Sequence, residues 1–213
     1  MRPTVTIVDY GMGNLYSVSR ALEVSGAVVA YASSPEQIVA ADHLVLPGVG
    51  AFESGMAGLR ERSLVAAIRV HALAGKPLLG ICLGMQMLAT VSEEFGEHEG
   101  LDLIPGRVVP IPATTLEGVP QKTPHVGWSA LHKAPGAEWV KTPLEDIHAG
   151  ASVYLVHSFA VRTIDPIHTI AFCQIGGHPV CAAIRSGAMI GCQFHPEKSG
   201  SVGLAILKKF IES

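Results

Sequence analysis

The chain is poor in charge and carries no run of it: Asp, Glu, Lys and Arg make up 15% of 213 residues, and the formal net charge is −3. With no basic run to neutralise phosphates, nucleic acid is excluded as the main partner. No stretch approaches the roughly twenty apolar residues of a bilayer-spanning helix, and no long apolar segment follows Met1-Arg2. Neither a membrane nor a secretory route is expected, so the chain reads as cytoplasmic. Cysteine is scarce as well. Cys82, Cys173, Cys181 and Cys192 have neither C-x-x-C spacing nor the density of a disulfide scaffold, and no metal or cofactor site is read from them. The last three fall in Thr169–Gln174, Val180–Ile184 and Met189–Phe194, which read as strands in which a thiol is core filling.

What is present is apolar: 48% of the residues are hydrophobic, enough for a sizeable core, and 1–213 reads as one domain. The first half alternates short β-branched runs with helical stretches, the pattern of an open, mostly parallel sheet flanked by helices. Thr4–Asp9, Ala27–Tyr31 and His43–Leu46 read as strands. Leu15–Ser25 has apolar residues at helical spacing, and Ser34-Pro35 opens a short capped helix. From Gly96 to Gly150 prolines break the periodicity. That segment reads as a loop-rich insertion with short antiparallel strands, and Pro124-His125-Val126-Gly127-Trp128 reads as a loop within it.

Pro77–Cys82 is an apolar strand ending on a cysteine between Gly80 and Gly84, which reads as a nucleophile elbow. A thiol at such a helix N-terminus is favoured as thiolate by the helix dipole. A packed strand end would look the same, so the neighbours decide. Gly11 and Gly13 lie in a first βα turn, and Tyr16 replaces the third glycine of a dinucleotide fingerprint. Pro47-Gly48-Val49-Gly50 is a second Gly-rich turn. Both turns and Cys82 are expected at the carboxyl edge of one sheet, where open α/β folds bind ligands. The N–H of Leu83, with those of Val49 and Gly50, supplies a candidate oxyanion hole. The helix leaving the elbow is expected to run to Thr90 and to place Gln86 one turn past Cys82. Ser92-Glu93-Glu94 then follows as an acidic loop that would suit an ammonium group.

Near the C-terminus, His195 and Glu197 project to one side if the chain is extended. The carboxylate then takes one imidazole nitrogen and leaves the other for a thiol. Cys82, His195 and Glu197 thus form a candidate triad, and Val202–Ile211 closes the chain as an amphipathic helix.

Gly80-Ile81-Cys82-Leu83-Gly84-Met85-Gln86 with Gln193-Phe194-His195-Pro196-Glu197-Lys198-Ser199 resembles the class I glutamine amidotransferase family, and the likeness runs end to end. Asp9–Leu15, Pro47–Phe52 and Pro124–Trp128 resemble the branch that supplies ammonia for histidine biosynthesis. The resemblance implies a glutaminase in which Cys82 attacks glutamine and ammonia passes to a (β/α)8-barrel cyclase in a heterodimer. It places Gly48, Gly50, Gly84, Gln86, Glu94, His157, Ser158 and Phe159 around the glutamine, and Asn14 and Trp128 at the cyclase. Ser129 and Phe159 depart from the family pattern, where Asn and Tyr are common. The rival readings are a glutaminase serving a pyridoxal phosphate or anthranilate synthase, a Cys-His-Glu hydrolase or peptidase, and a binding module without activity.

Overall fold

The computed structural model describes residues 2–213. Its first half runs β1 (Thr4–Val8), α1 (Leu15–Val24), β2 (Val28–Ala32), α2 (Pro35–Ala40), β3 (His43–Leu46), α3 (Phe52–Glu61), α4 (Leu64–Leu73), β4 (Leu78–Ile81) and α5 (Leu83–Met87). The strands are mostly apolar because helices cover both faces of the sheet they form. Val5, Ile7 and Val45 pack on the side of Leu22, Ile206 and Phe210, whereas Val8, Leu44 and Leu46 pack on the side of Ile38, Phe52 and Leu59.

The second half contributes β5 (Ala89–Ser92), β6 (His98–Glu99), β7 (Ile104–Pro110), β8 (His125–Lys133), β9 (Ser152–His157), β10 (Phe159–Thr163), β11 (Thr169–Ile175), β12 (His178–Ser186), β13 (Met189–Cys192) and α6 (Gly200–Ile211). The main sheet has nine strands in the order β2-β1-β3-β4-β13-β12-β11-β8-β9, and a smaller one has the order β10-β7-β5-β6. Strands β1 to β4 are parallel and β13 joins them parallel to β4. From β13 outward the pairing is antiparallel.

The strand β13 positions the site. Gly191 pairs with Gly80 and Cys192 with Ile81, so the chain leaving β13 emerges beside the chain leaving β4. The Cys82 N–H donates to the Cys192 carbonyl at 2.7 Å. Small residues let α5 settle onto β3 and β13. A Cβ on Gly84 would lie 1.8 Å from the Leu46 carbonyl oxygen, and one on Gly191 would lie 2.6 Å from Met85 Cγ.

Three expectations from the sequence are corrected. The helix after the elbow stops at Met87, and Ala89–Ser92 is a strand because it pairs in parallel with Ile104–Val108 of β7. Tertiary pairing here overrides the continued apolar spacing, and β-branched Thr90 and Val91 favour it. Pro124–Trp128 is not a loop: from His125 onward it is β8, paired with both β9 and β11. His195 and Glu197 do not share an extended segment, since Pro196–Lys198 forms a 3-10 turn with His195 as its cap. Pro196 holds His195 itself extended (φ −97°, ψ 99°), as expected before proline. Among the core thiols, Cys173 and Cys192 are buried, while Cys181 is partly exposed. No helix among the described residues is long and apolar enough to cross a membrane.

Candidate active site

Cys82 stands between β4 and α5 at φ 53°, ψ −108°, a backbone conformation unusual for a residue with a Cβ. It is 7% exposed, at the floor of a cavity of about 260 Å³ lined by Val49, Gly50, Leu83, Gln86, Glu94, Pro124, Val156, His157, Ser158, Phe159 and His195. Strained geometry at a sheet edge, under a cavity, fits a reactive side chain better than a core cysteine.

His195 is fixed from three directions. Its N–H donates to Tyr154 O at 2.9 Å, its carbonyl accepts from Ser199 Oγ at 2.7 Å, and its Nδ1 meets Glu197 Oε1 at 2.8 Å. Both side chains of the His195–Glu197 pair are almost wholly buried. The Nδ1–carboxylate bond leaves Nε2, which has no hydrogen-bond partner, on the cavity side with Cys82. Burial works against a charge on this ring, but Cys82 and Glu197 outweigh it and raise the His195 pKa to about 9. The ring is therefore an imidazolium at neutral pH.

Leu83 opens α5, so its N–H has no carbonyl one turn back to donate to. The Pro47–Gly50 turn lies against the same helix start. A Cβ on Gly48 would come within 2.7 Å of Tyr10 Oη and 2.9 Å of Leu83 Cβ, and buried Tyr10 donates its hydroxyl to Pro47 O at 2.8 Å. Gly50 adopts φ 94°, in the region that favours glycine. Glu94, which lines the cavity, accepts the Phe52 N–H at 2.6 Å and so caps α3, whose N-cap residue Ala51 offers no side-chain bond.

His157 lines the same cavity. Its Nδ1 lies 2.8 Å from Phe159 O, so Nδ1 carries the proton and Nε2 is left as an acceptor without a partner. Burial, resisted by the Phe159 carbonyl and reinforced by the charges of His125 and His195, lowers its pKa to about 4. This ring is neutral where its neighbour is charged.

Ten of the fifteen residues singled out in the sequence line this cavity, and Glu197 stands one hydrogen bond behind it. Gly48 and Gly84 serve close packing beneath it rather than lining it. Asn14 and Trp128 lie elsewhere. Asn14 is exposed and caps α1, its Oδ1 accepting the Ser17 N–H at 3.2 Å. Trp128 is 57% exposed and meets Tyr154 edge-on across the β8–β9 pair. Ser129 bonds to His125 at 3.2 Å. The sequence reading assigned no role to Tyr10, Val156, Pro124 or Gln193, although Tyr10, Pro124 and Gln193 stand in the motifs Asp9–Leu15, Pro124–Trp128 and Gln193–Ser199.

A cysteine on a strained strand-to-helix turn, under a cavity at a sheet edge and beside an imidazole backed by a carboxylate, is the arrangement that thiol acyl transfer requires. The chain belongs to the class I glutamine amidotransferase family: the model described as "Glutamine amidotransferase class-I" matches residues 6–213. It is 50% identical over 210 residues to imidazole glycerol phosphate synthase subunit HisH 1 of Legionella pneumophila strain Paris, covering 98% of this chain and 99% of that one. It is 43% identical over 210 residues to subunit HisH of Syntrophotalea carbinolica, covering 97% and 98%. In fold it resembles a chain of PurLQS from Thermotoga maritima, with a TM-score of 0.75 at 19% identity over 100% and 99% of the two chains.

Proposed function

We propose that this chain is the glutaminase subunit of an imidazole glycerol phosphate synthase, with residues 1–213 acting as one domain. The observation that carries the reading is the meeting of Cys82 and His195, backed by Glu197, in one small cavity also lined by Val49, Gly50 and Leu83. The names borne by relatives of near-identical length support the particular synthase.

In this reading glutamine enters with its ammonium group toward Glu94 and its carboxamide over Cys82. The Cys82 thiolate attacks the amide carbon, and the oxyanion is received by the N–H of Leu83 and those of Val49 and Gly50. His195 gives its Nε2 proton to the departing nitrogen, releasing ammonia and leaving a γ-glutamyl thioester. The neutral imidazole then takes a proton from water, which attacks the thioester, frees glutamate and restores the thiolate–imidazolium pair. Glu197 keeps the ring oriented through both steps. Ammonia passes to a partner cyclase with a (β/α)8-barrel fold, which makes imidazole glycerol phosphate and aminoimidazole carboxamide ribotide in the cytoplasm. Trp128 and Val126, both exposed and two residues apart on one side of β8, offer that partner an apolar contact.

The test is Cys82→Ala in the complex reconstituted with a cyclase. Glutamine-dependent synthesis disappears and ammonia-dependent synthesis persists. Loss of both activities, or of neither, overturns the reading.

A further inference from the structure

Gln193 is fully buried, follows β13 and has no role in the mechanism above. Its Nε2 lies 3.7 Å from Cys82 Sγ, within hydrogen-bond distance for sulfur, although the two residues are 111 apart in sequence. Its backbone is pinned by a 2.9 Å bond from its N–H to Ala182 O. Its side-chain Oε1 accepts from Gln86 Nε2 at 3.1 Å, and that same Nε2 donates its other hydrogen to Phe159 O at 2.9 Å.

The direction of this chain is fixed at its far end. Phe159 O is a backbone carbonyl and can only accept, so the Gln86 group facing it must be the amide nitrogen. The second hydrogen of that nitrogen then requires an oxygen, which sets Gln193 Oε1 toward Gln86 and Gln193 Nε2 toward the sulfur. Neither amide can flip without breaking a buried bond. A donor aimed at sulfur from a dry, rigid position stabilises the thiolate more than the thiol, because bonds to charged acceptors are the stronger ones.

The geometry points to Gln193 as the residue that sets the thiolate character of Cys82, held in the donating orientation by Gln86 and the Phe159 carbonyl. This rests on the reading of Cys82 as the nucleophile. It also assigns Gln86 a second duty: one amide both borders the substrate cavity and orients the donor to the sulfur.

The test is the pH profile of Cys82 alkylation by iodoacetamide in the full-length chain, followed by peptide mass spectrometry with Cys173, Cys181 and Cys192 as internal controls. Gln193→Glu keeps the oxygen that Gln86 needs and removes the donor to sulfur; Gln193→Met is an apolar isostere that removes both. Both variants are expected to move the midpoint of the Cys82 profile to higher pH by about one unit, which slows alkylation roughly tenfold at pH values below that midpoint. Thermal melts identify any variant that fails to fold, and the other variant then decides. A folded variant whose Cys82 profile coincides with that of the unsubstituted chain overturns the inference. Should Cys82 in the unsubstituted chain react no faster than the other three thiols, the nucleophile reading itself fails, and the two failures remain distinct.

Discussion

The two walls of the cavity each carry a buried histidine, and the two are driven in opposite directions. On the β13 side His195 rises to about 9, and on the β9 side His157 falls to about 4. Burial penalises the charge on both rings, so burial does not explain the difference. What differs is the partner on Nδ1: a carboxylate for His195, a backbone carbonyl for His157. A carboxylate, joined by the nearby sulfur, repays the desolvation of an imidazolium, whereas a neutral carbonyl does not. One wall therefore holds a proton to give, and the other holds a lone pair able to accept an N–H.

The largest effect is expected where the charged ring is removed. His195→Ala lowers kcat for glutamine hydrolysis by roughly 10²- to 10⁴-fold, the usual worth of a positioned acid–base group. KM changes little, because the ring acts on the leaving nitrogen rather than on substrate affinity. Steady-state kinetics of the reconstituted complex measure both. A kcat within tenfold of the unsubstituted enzyme would remove His195 from the mechanism.

A smaller effect comes from converting one wall's logic into the other's. Glu197→Gln keeps an oxygen for His195 Nδ1 but deletes the carboxylate charge, making the environment of His195 resemble that of His157. The His195 pKa then drops from about 9 toward neutrality, and kcat falls roughly tenfold or more per unit of lost proton-holding at the alkaline side. The readout is the pH–rate profile, whose alkaline limb should move to lower pH. A profile displaced only in height would assign Glu197 to orientation alone.

This contrast was partly legible in the sequence. The elbow glycines, the Gly-rich turn at Pro47 and the His195–Glu197 spacing each announce local geometry, so the charged wall could be assembled before the fold was known. The His195–Glu197 contact is made by a 3-10 turn rather than an extended strand, because Pro196 starts the turn that a two-residue spacing equally permits. The neutral wall was not legible from the residues themselves. His157 is paired with a carbonyl two residues on, and its burial depends on β8 and β9, whose pairing begins after a proline-rich stretch that looks like loop. Gln193 was visible inside its motif, but its orientation depends on the Phe159 carbonyl, on a strand that sequence periodicity did not reveal. Long-range carbonyl partners leave no trace in residue type.

The smallest effect concerns stability, and it separates the two histidines by the sign of their pH dependence. The His157 pKa is lowered from 6.5 to about 4 on folding, so between those values the unfolded chain binds more protons than the folded one. Its contribution is fully present above 6.5 and is lost as the pH falls toward 4. At pH 5 the loss is roughly 2 kcal/mol, a few degrees or more in Tm for a chain of this size. His195, raised from 6.5 to about 9, behaves oppositely: its contribution is complete below 6.5 and is lost as the pH climbs through 9. His157→Asn supplies a side-chain N–H for Phe159 O without a titrating ring, so it should flatten the acid limb of the Tm–pH curve and leave the alkaline limb in place. Glu197→Gln should flatten only the alkaline limb. Calorimetric melts from pH 4.5 to 9.5 distinguish the two. If His157→Asn instead lowered Tm by the same amount at every pH, the ring would be a packing element and the neutral wall would owe nothing to its protonation state.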